Sequence, residues 1–175
     1  MFVPLTVDDF LHRAETVFAD TVALVDEPDQ PAVPVPRTTY GELARRVRAW
    51  QAGLDALGVG PRERVAVVSQ NSARLLELLY AVPASGRIGV PINFRLRADE
   101  VRYAVEHSGA SVLLVDPELD EQLRDVRAPH RIVLGAESDA LAMRFDVAQL
   151  LVELGVDEQH GGPAVLHRIA HLVRA

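Results

Sequence analysis

The chain is predicted to adopt an α/β fold, with βαβ units forming a parallel sheet flanked by helices and a short all-helical C-terminal tail. Three observations predict it. Apolar residues make up 49% of the 175 residues, enough for a packed core. Between residues 64 and 135, strand-length runs alternate with amphipathic stretches of helical period. Those runs are continuously apolar, as parallel strands buried on both faces must be.

The elements follow in chain order. Thr6 to Phe18 is a helix, with Thr6 as N-cap and Asp8 and Asp9 suited to the positive end of the helix dipole. Phe10, Leu11, Ala14, Val17 and Phe18 recur at helical spacing. Thr21 to Val25 is strand-like. Glu27 to Arg37 carries Pro28, Pro31, Pro34 and Pro36, which suits a rigid, exposed connection. Thr39 followed three residues later by Glu42 is a capping-box pattern. It opens a helix whose Leu43, Val47, Trp50, Leu54 and Leu57 form one apolar face. Trp50 belongs to the core, whereas Arg45, Arg46 and Arg48 fall on a solvated face. Gly58 and Gly60-Pro61 stop the helix.

Arg64 to Ser69 is a β-branched strand, and Asn71-Ser72 cap a helix running to Val82. Gly86 to Ile92 is the next strand, with Pro91 near its end. A helix from Ala98 to His107 stops at Gly109, and Ser111 to Val115 is a third strand. Pro117 to Val126 is a short helix and Arg131 to Leu134 a fourth strand. After Gly135 two helices are expected, Phe145 to Leu154 and Ala164 to Val173. This divides the chain into residues 1–135 and a helical tail, 136–175.

Composition narrows the chemistry. Net charge is -7 and aromatics are only 5%, which argues against nucleic-acid binding. There is no cysteine, so disulfides, zinc-thiolate sites and thiol catalysis are excluded. All 18 basic residues are arginine, which removes Schiff-base chemistry and every phosphate loop that depends on a lysine. No signal peptide and no membrane span are evident, so a cytoplasmic location is expected.

Five segments together carry a family resemblance. They are Thr38-Thr39-Tyr40-Gly41-Glu42-Leu43, Leu57 to Ala66 (LGVGPRERVA), Gln70-Asn71-Ser72, Ser85 to Leu96 (SGRIGVPINFRL), and Tyr103 to Asp116. In this order and spacing they resemble the N-terminal part of the AMP-forming acyl-CoA synthetases, over residues 5 to 135. The run Pro91-Ile92-Asn93-Phe94-Arg95-Leu96 is most similar to the fatty-acyl and medium-chain ligases. The resemblance implies an enzyme that uses ATP, magnesium and CoA. A carboxylic acid, such as a fatty acid, attacks the α-phosphate of ATP, and CoA then displaces AMP from the acyl adenylate. It also implies that the working groups lie later in the family's chain: a Ser/Thr/Gly-rich loop ending Pro-Lys-Gly, a ribose-holding Asp and a C-terminal Lys.

None of these is present, and Gly161-Gly162-Pro163 lacks the hydroxyls and cation of a phosphate loop. The chain alone is therefore expected to be catalytically incompetent, with no catalytic residue and no cofactor of its own. Residues 136–175 do not resemble the family's continuation, and a readthrough product, a truncated end and a genuine cap remain open as origins. A non-catalytic module that pairs with another protein, such as a complementary synthetase half covering an open sheet edge, is the alternative.

Individual candidates are few. By resemblance Arg95 contacts the CoA phosphates, set against a structural loop arginine, and Asn93 is a turn residue. His167 and His171 are four apart, with His160 upstream, but they lack the Glu of a zinc-protease motif, so no metal site is expected. Asp20 and Asp26 are separate surface carboxylates. Ser85-Gly86 and Ser108-Gly109 are turns, and neither is a nucleophile elbow.

Overall fold

The computed structural model describes residues 6–30, 32–35 and 37–135. The two helices expected after Gly135, and with them His160, His167 and His171, lie outside the described residues.

Helix α1 (Val7–Phe18) starts where the Thr6 backbone N–H donates to the Asp9 carboxylate at 2.6 Å. Its apolar spacing is correct for a helix, but burial is not what that spacing suggests. Leu11 is buried, while Phe10, Val17 and Phe18 are 50% or more exposed. Strand β1 (Val22–Leu24) pairs antiparallel with β2 (Thr38–Thr39), a short strand in the segment expected only to cap a helix. Thr39 still caps α2 (Tyr40–Ala56): its N–H donates to Glu42 Oε2 at 2.7 Å, and its hydroxyl accepts from Glu42 N–H at 3.2 Å. Leu43, Val47, Trp50 and Leu54 are all buried, as their spacing requires.

The remaining strands are β3 (Arg64–Val68), β4 (Ile88–Ile92), β5 (Val112–Val115) and β6 (His130–Val133). They form one parallel sheet in the order β4-β3-β5-β6. Helix α3 (Ala73–Ala84) connects β3 to β4, and α4 (Ala98–Ser108) connects β4 to β5. Alternation along the strands divides the core. Val65, Val67, Val112, Leu114 and Ile132 pack with α1, α2 and α3 on one face. Ala66, Val68, Leu113 and Val115 pack with Val101 and Val105 of α4 on the other.

Pro117 to Val126 is not a helix. A 3₁₀ turn (Pro117–Leu119) is followed by further turns, with Leu119 N–H bonded to the Asp116 carbonyl and Asp120 N–H to that of Pro117. Leu123 and Val126 are buried nonetheless, carried on successive turns, so the proline that suits a first helical turn here opens a 3₁₀ turn. Strand β4 also differs from a strand covered on both faces, since Ile88, Gly89 and Pro91 are exposed. Ile88 N–H donates to the Glu63 carbonyl, so residues 88, 90 and 92 turn their backbone groups toward β3. Residues 89 and 91 face outward, and Pro91 has no N–H to offer there.

Two of the expected solvated arginines are anchored to other elements. The buried Glu77 of α3 accepts from Arg46 Nε at 2.5 Å and from Trp50 Nε1 at 3.2 Å. Arg48 makes a two-pronged bond to Glu15 of α1, at 2.7 and 2.8 Å. These contacts fix α1 and α3 against α2, and three-residue or four-residue spacing within one helix carries no trace of them.

Two measurements test this frame. Glu77→Ala should cost about 2–4 kcal/mol in urea denaturation, because it removes the buried carboxylate that accepts from Trp50 N–H and Arg46. Glu77→Gln, which keeps one acceptor oxygen, should cost clearly less. Gly58 and Gly109 both have left-handed backbones, with φ of 75° and 61°. An added Cβ at Gly58 meets nothing within 4 Å, whereas at Gly109 it falls 2.8 Å from Arg64 Nη2. Gly58→Ala should therefore cost only the backbone penalty of about 1–2 kcal/mol, and Gly109→Ala measurably more.

Candidate functional site

A sheet ordered β4-β3-β5-β6 reverses its winding between β3 and β5. Ligands of doubly wound folds bind at such a point, outside the carboxyl ends of the strands. Here that place is built from the turn after β3 (Ser69, Gln70), the start of α3 (Ser72, Ala73, Arg74) and the residues after β5 (Asp116, Glu118).

Asp116 is 2% exposed. Its carboxylate accepts from Ser69 Oγ at 2.9 Å and from Gln70 N–H at 2.6 Å, while Gln70 Nε2 reaches Glu118 at 3.3 Å. Burial pushes the Asp116 carboxyl above its usual range, against the lowering effect of the two hydrogen bonds. Asp116 thus closes the gap between β3 and β5 with an internal acceptor.

The first turn of α3 is filled in the same way. Ser72 Oγ accepts from Leu75 N–H at 3.2 Å, and Ala73 N–H donates to Asp26 Oδ1 at 2.9 Å. A helix start facing strand ends is where dinucleotide folds place a phosphate. In this chain the carboxylate of Asp26 stands there. This corrects the reading of Asp26 as a separate surface carboxylate, while Asp20 is exposed as expected. Asp26 Oδ2 also accepts from Val35 N–H at 2.9 Å, and Arg74 donates to the Val33 carbonyl. The proline-bearing segment is accordingly docked, with Ala32 and Val35 buried, and not a wholly exposed connection. No signal in the sequence joins Asp26 to a helix start 47 residues away.

The Arg95 loop lies after β4, well separated in sequence from this cluster. Asn93 Oδ1 accepts from Arg95 N–H at 3.0 Å, which makes Asn93 the turn residue expected of it. The Arg95 guanidinium sits 5.0 Å from the centre of the Phe94 ring, with the side chain exposed. Arg97 next to it is engaged by Asp99 and Glu100. Ser85 Oγ donates to the Ala81 and Val82 carbonyls and Ser108 Oγ to that of Val105, so both serines serve turns. Among the described residues no cluster of three metal-binding side chains occurs. Two shallow grooves of about 270 Å³ are present. One lies between α1 and α2, floored by Leu11, Ala44 and Val47, and the other is apolar, between α3 and the β3–β4 side of the sheet.

Sequence reasoning also missed Arg87. It is buried beside the start of β4, bonded to the Val59 carbonyl at 3.0 Å through Nε and to the Asp55 carboxylate. Its one signal is a lone arginine heading an apolar run.

Comparison with known proteins is consistent with this architecture. A feruloyl-CoA synthase from Amycolatopsis sp is 44% identical over 90 residues, covering 51% of this chain and 18% of that protein. A long-chain-fatty-acid–CoA ligase from Thermus thermophilus is 37% identical over 131 residues, covering 74% of this chain and 23% of the ligase. The chain therefore spans about a fifth of the length of these curated relatives. Among solved structures, a benzoate CoA ligase from Burkholderia xenovorans LB400 superposes with a TM-score of 0.69 at 25% identity, over 79% of this chain and 28% of that one. No described helix is long and apolar enough to cross a membrane. With the pattern of the AMP-binding enzymes matched over residues 11–162, the chain belongs to that family.

Proposed function

We propose that these residues supply the opening α/β scaffold of a cytoplasmic CoA ligase that activates a carboxylic acid through an acyl adenylate. The observation that carries the reading is the family match over residues 11–162, borne on a four-stranded parallel sheet. The acids named for its relatives run from aromatic and long-chain fatty acids to 4-hydroxybutyrate, so the substrate class is carboxylic acids.

The polyphosphate of ATP does not fit the described residues. The start of α3 is taken by Asp26, and the neighbouring Asp116 and Glu118 are acceptors where a polyphosphate needs donors. The 175 residues contain no lysine at all. The scaffold thus contributes shape and packing, and adenylation depends on groups beyond it. Arg95 is the exception we assign to ligand contact, on the CoA phosphates. Its guanidinium is exposed and steadied by the Phe94 face, which suits an incoming phosphate.

Two experiments test this. The 175-residue chain, supplied with ATP, magnesium and a panel of fatty and aromatic acids, should give no ATP–pyrophosphate exchange above buffer. Clear exchange would overturn the scaffold reading. In an active ligase that contains these residues, Arg95→Ala should raise KM for CoA about three- to tenfold, the size of one exposed charge-assisted contact. Pyrophosphate exchange in that variant should be unchanged, and an unaltered KM would end the assignment.

A further inference from the structure

At the carboxyl edge, one hydroxyl hydrogen stands between two acceptors. Ser69 Oγ lies 2.9 Å from the Gln70 carbonyl oxygen and 2.9 Å from Asp116 Oδ1. A serine hydroxyl has a single hydrogen to donate, and an ionised carboxylate has none. With Asp116 ionised, its Oδ1 and the Gln70 carbonyl therefore compete for that hydrogen. With Asp116 protonated on Oδ1 the competition ends. The carboxyl O–H then donates to Ser69 Oγ, and Ser69 O–H donates to the Gln70 carbonyl. Oδ2 accepts from Gln70 N–H at 2.6 Å in either state. Ser69 is 7% exposed and Asp116 2%, so both are largely out of reach of water that could supply a second hydrogen.

We propose that Asp116 is a proton switch, completing a relay through Ser69 to the Gln70 carbonyl when protonated and breaking it when ionised. The relay ties the turn after β3 to the end of β5, the two strands between which the winding reverses. Burial favours the neutral carboxyl and outweighs the lowering effect of the Gln70 and Ser69 hydrogen bonds. The charges that bear on it divide. Glu118, in its own turn, disfavours the ionised form, whereas Arg74 of α3 favours it. Asp26, at the same helix start as Arg74, is bonded to the Ala73 and Val35 amides. The turn after β3 brings the uncharged Ser69 and Gln70, and the end of β6, Val133 to Gly135, is uncharged. The folded-state pKa lies above that of the unfolded chain. The group's contribution to stability is therefore fully present below the unfolded value and is lost as pH rises through the folded one.

Carbon-13 NMR of the full chain, following the Asp116 carboxyl carbon and the Gln70 carbonyl carbon against pH, tests the switch. Both should shift with one midpoint, above that of Asp116 in the urea-unfolded chain. Asp116→Asn keeps the bonds of the protonated form, with Nδ2 donating to Ser69 Oγ and Oδ1 accepting from Gln70 N–H. It should hold the Gln70 carbonyl at its acid-side position at every pH. Ser69→Ala should abolish the Gln70 response while Asp116 still titrates. Glu118→Gln, which keeps an acceptor for Gln70 Nε2, should lower the Asp116 midpoint and leave the Gln70 response in place. The urea midpoint of the unaltered chain should fall relative to that of Asp116→Asn as pH rises through the Asp116 midpoint. An Asp116 midpoint at or below its value in the unfolded chain would overturn the proposal, since Ser69 would then donate to a settled carboxylate. So would a Gln70 carbonyl that follows Glu118 alone, or one that still titrates in Asp116→Asn.

Discussion

The parallel pairing of β3 with β5 is the constraint to which the rest of the molecule answers. Val65 to Val68 and Val112 to Val115 are buried to 4% exposure or less on either face. Two strands so placed need cover above and below, so helices must lie on both sides of the sheet. The connections supply them: α3 leaves β3 for one face, and α4 returns from β4 across the other to deliver β5. Because β4 and β5 lie on opposite sides of β3, a reversal of winding is unavoidable, and with it an opening at the carboxyl edge. Much of the unusual polar chemistry of the chain is gathered there to close that opening.

What closes it is internal. Where a nucleotide-binding fold would bring glycines and backbone donors to a phosphate, this chain brings the carboxylates of Asp26 and Asp116 to its own N–H groups. Both pairings satisfy half-buried donors that would otherwise cost stability. The chain spans about a fifth of its relatives' length, so membership of the family and the lack of a phosphate cradle among the described residues coexist. In this part of the fold the architecture is that of the family, and the sites it offers are already occupied by side chains.

The sequence made the elements legible and the contacts between them largely not. The capping box of Thr39 and Glu42 and the strands at 64–68 and 112–115 are set by neighbours within a few residues, so local pattern suffices to place them. Burial is a different matter. Phe10, Val17 and Phe18 share a helical spacing with Leu11, yet only Leu11 meets α2 and α3, because orientation depends on what the helix packs against. The pairs Arg46–Glu77 and Asp26–Ala73 join residues 31 and 47 positions apart, and a charged residue read by itself gives no hint of a partner so distant. The turns at 117–126 show a different error: Pro117 suits a 3₁₀ turn as well as a helix start, and buried Leu123 and Val126 are reached without a helix. For the site, Arg95 was legible only through resemblance, and Asn93 through its ordinary turn chemistry.

The placement of Pro91 bears on how the chain survives its own synthesis. Strand β4 is complete before β5 exists, so β3 and β4 form an incomplete sheet with apolar surface showing. An unpaired strand edge at that stage is a template for another copy of itself. On its outer side β4 presents a single donor, the Gly89 N–H, followed by the tertiary amide of Pro91, which has none. A second strand arriving there finds a ladder with a missing rung. The proline thus acts as a gatekeeper against aggregation during the interval in which the nascent chain is most exposed to it.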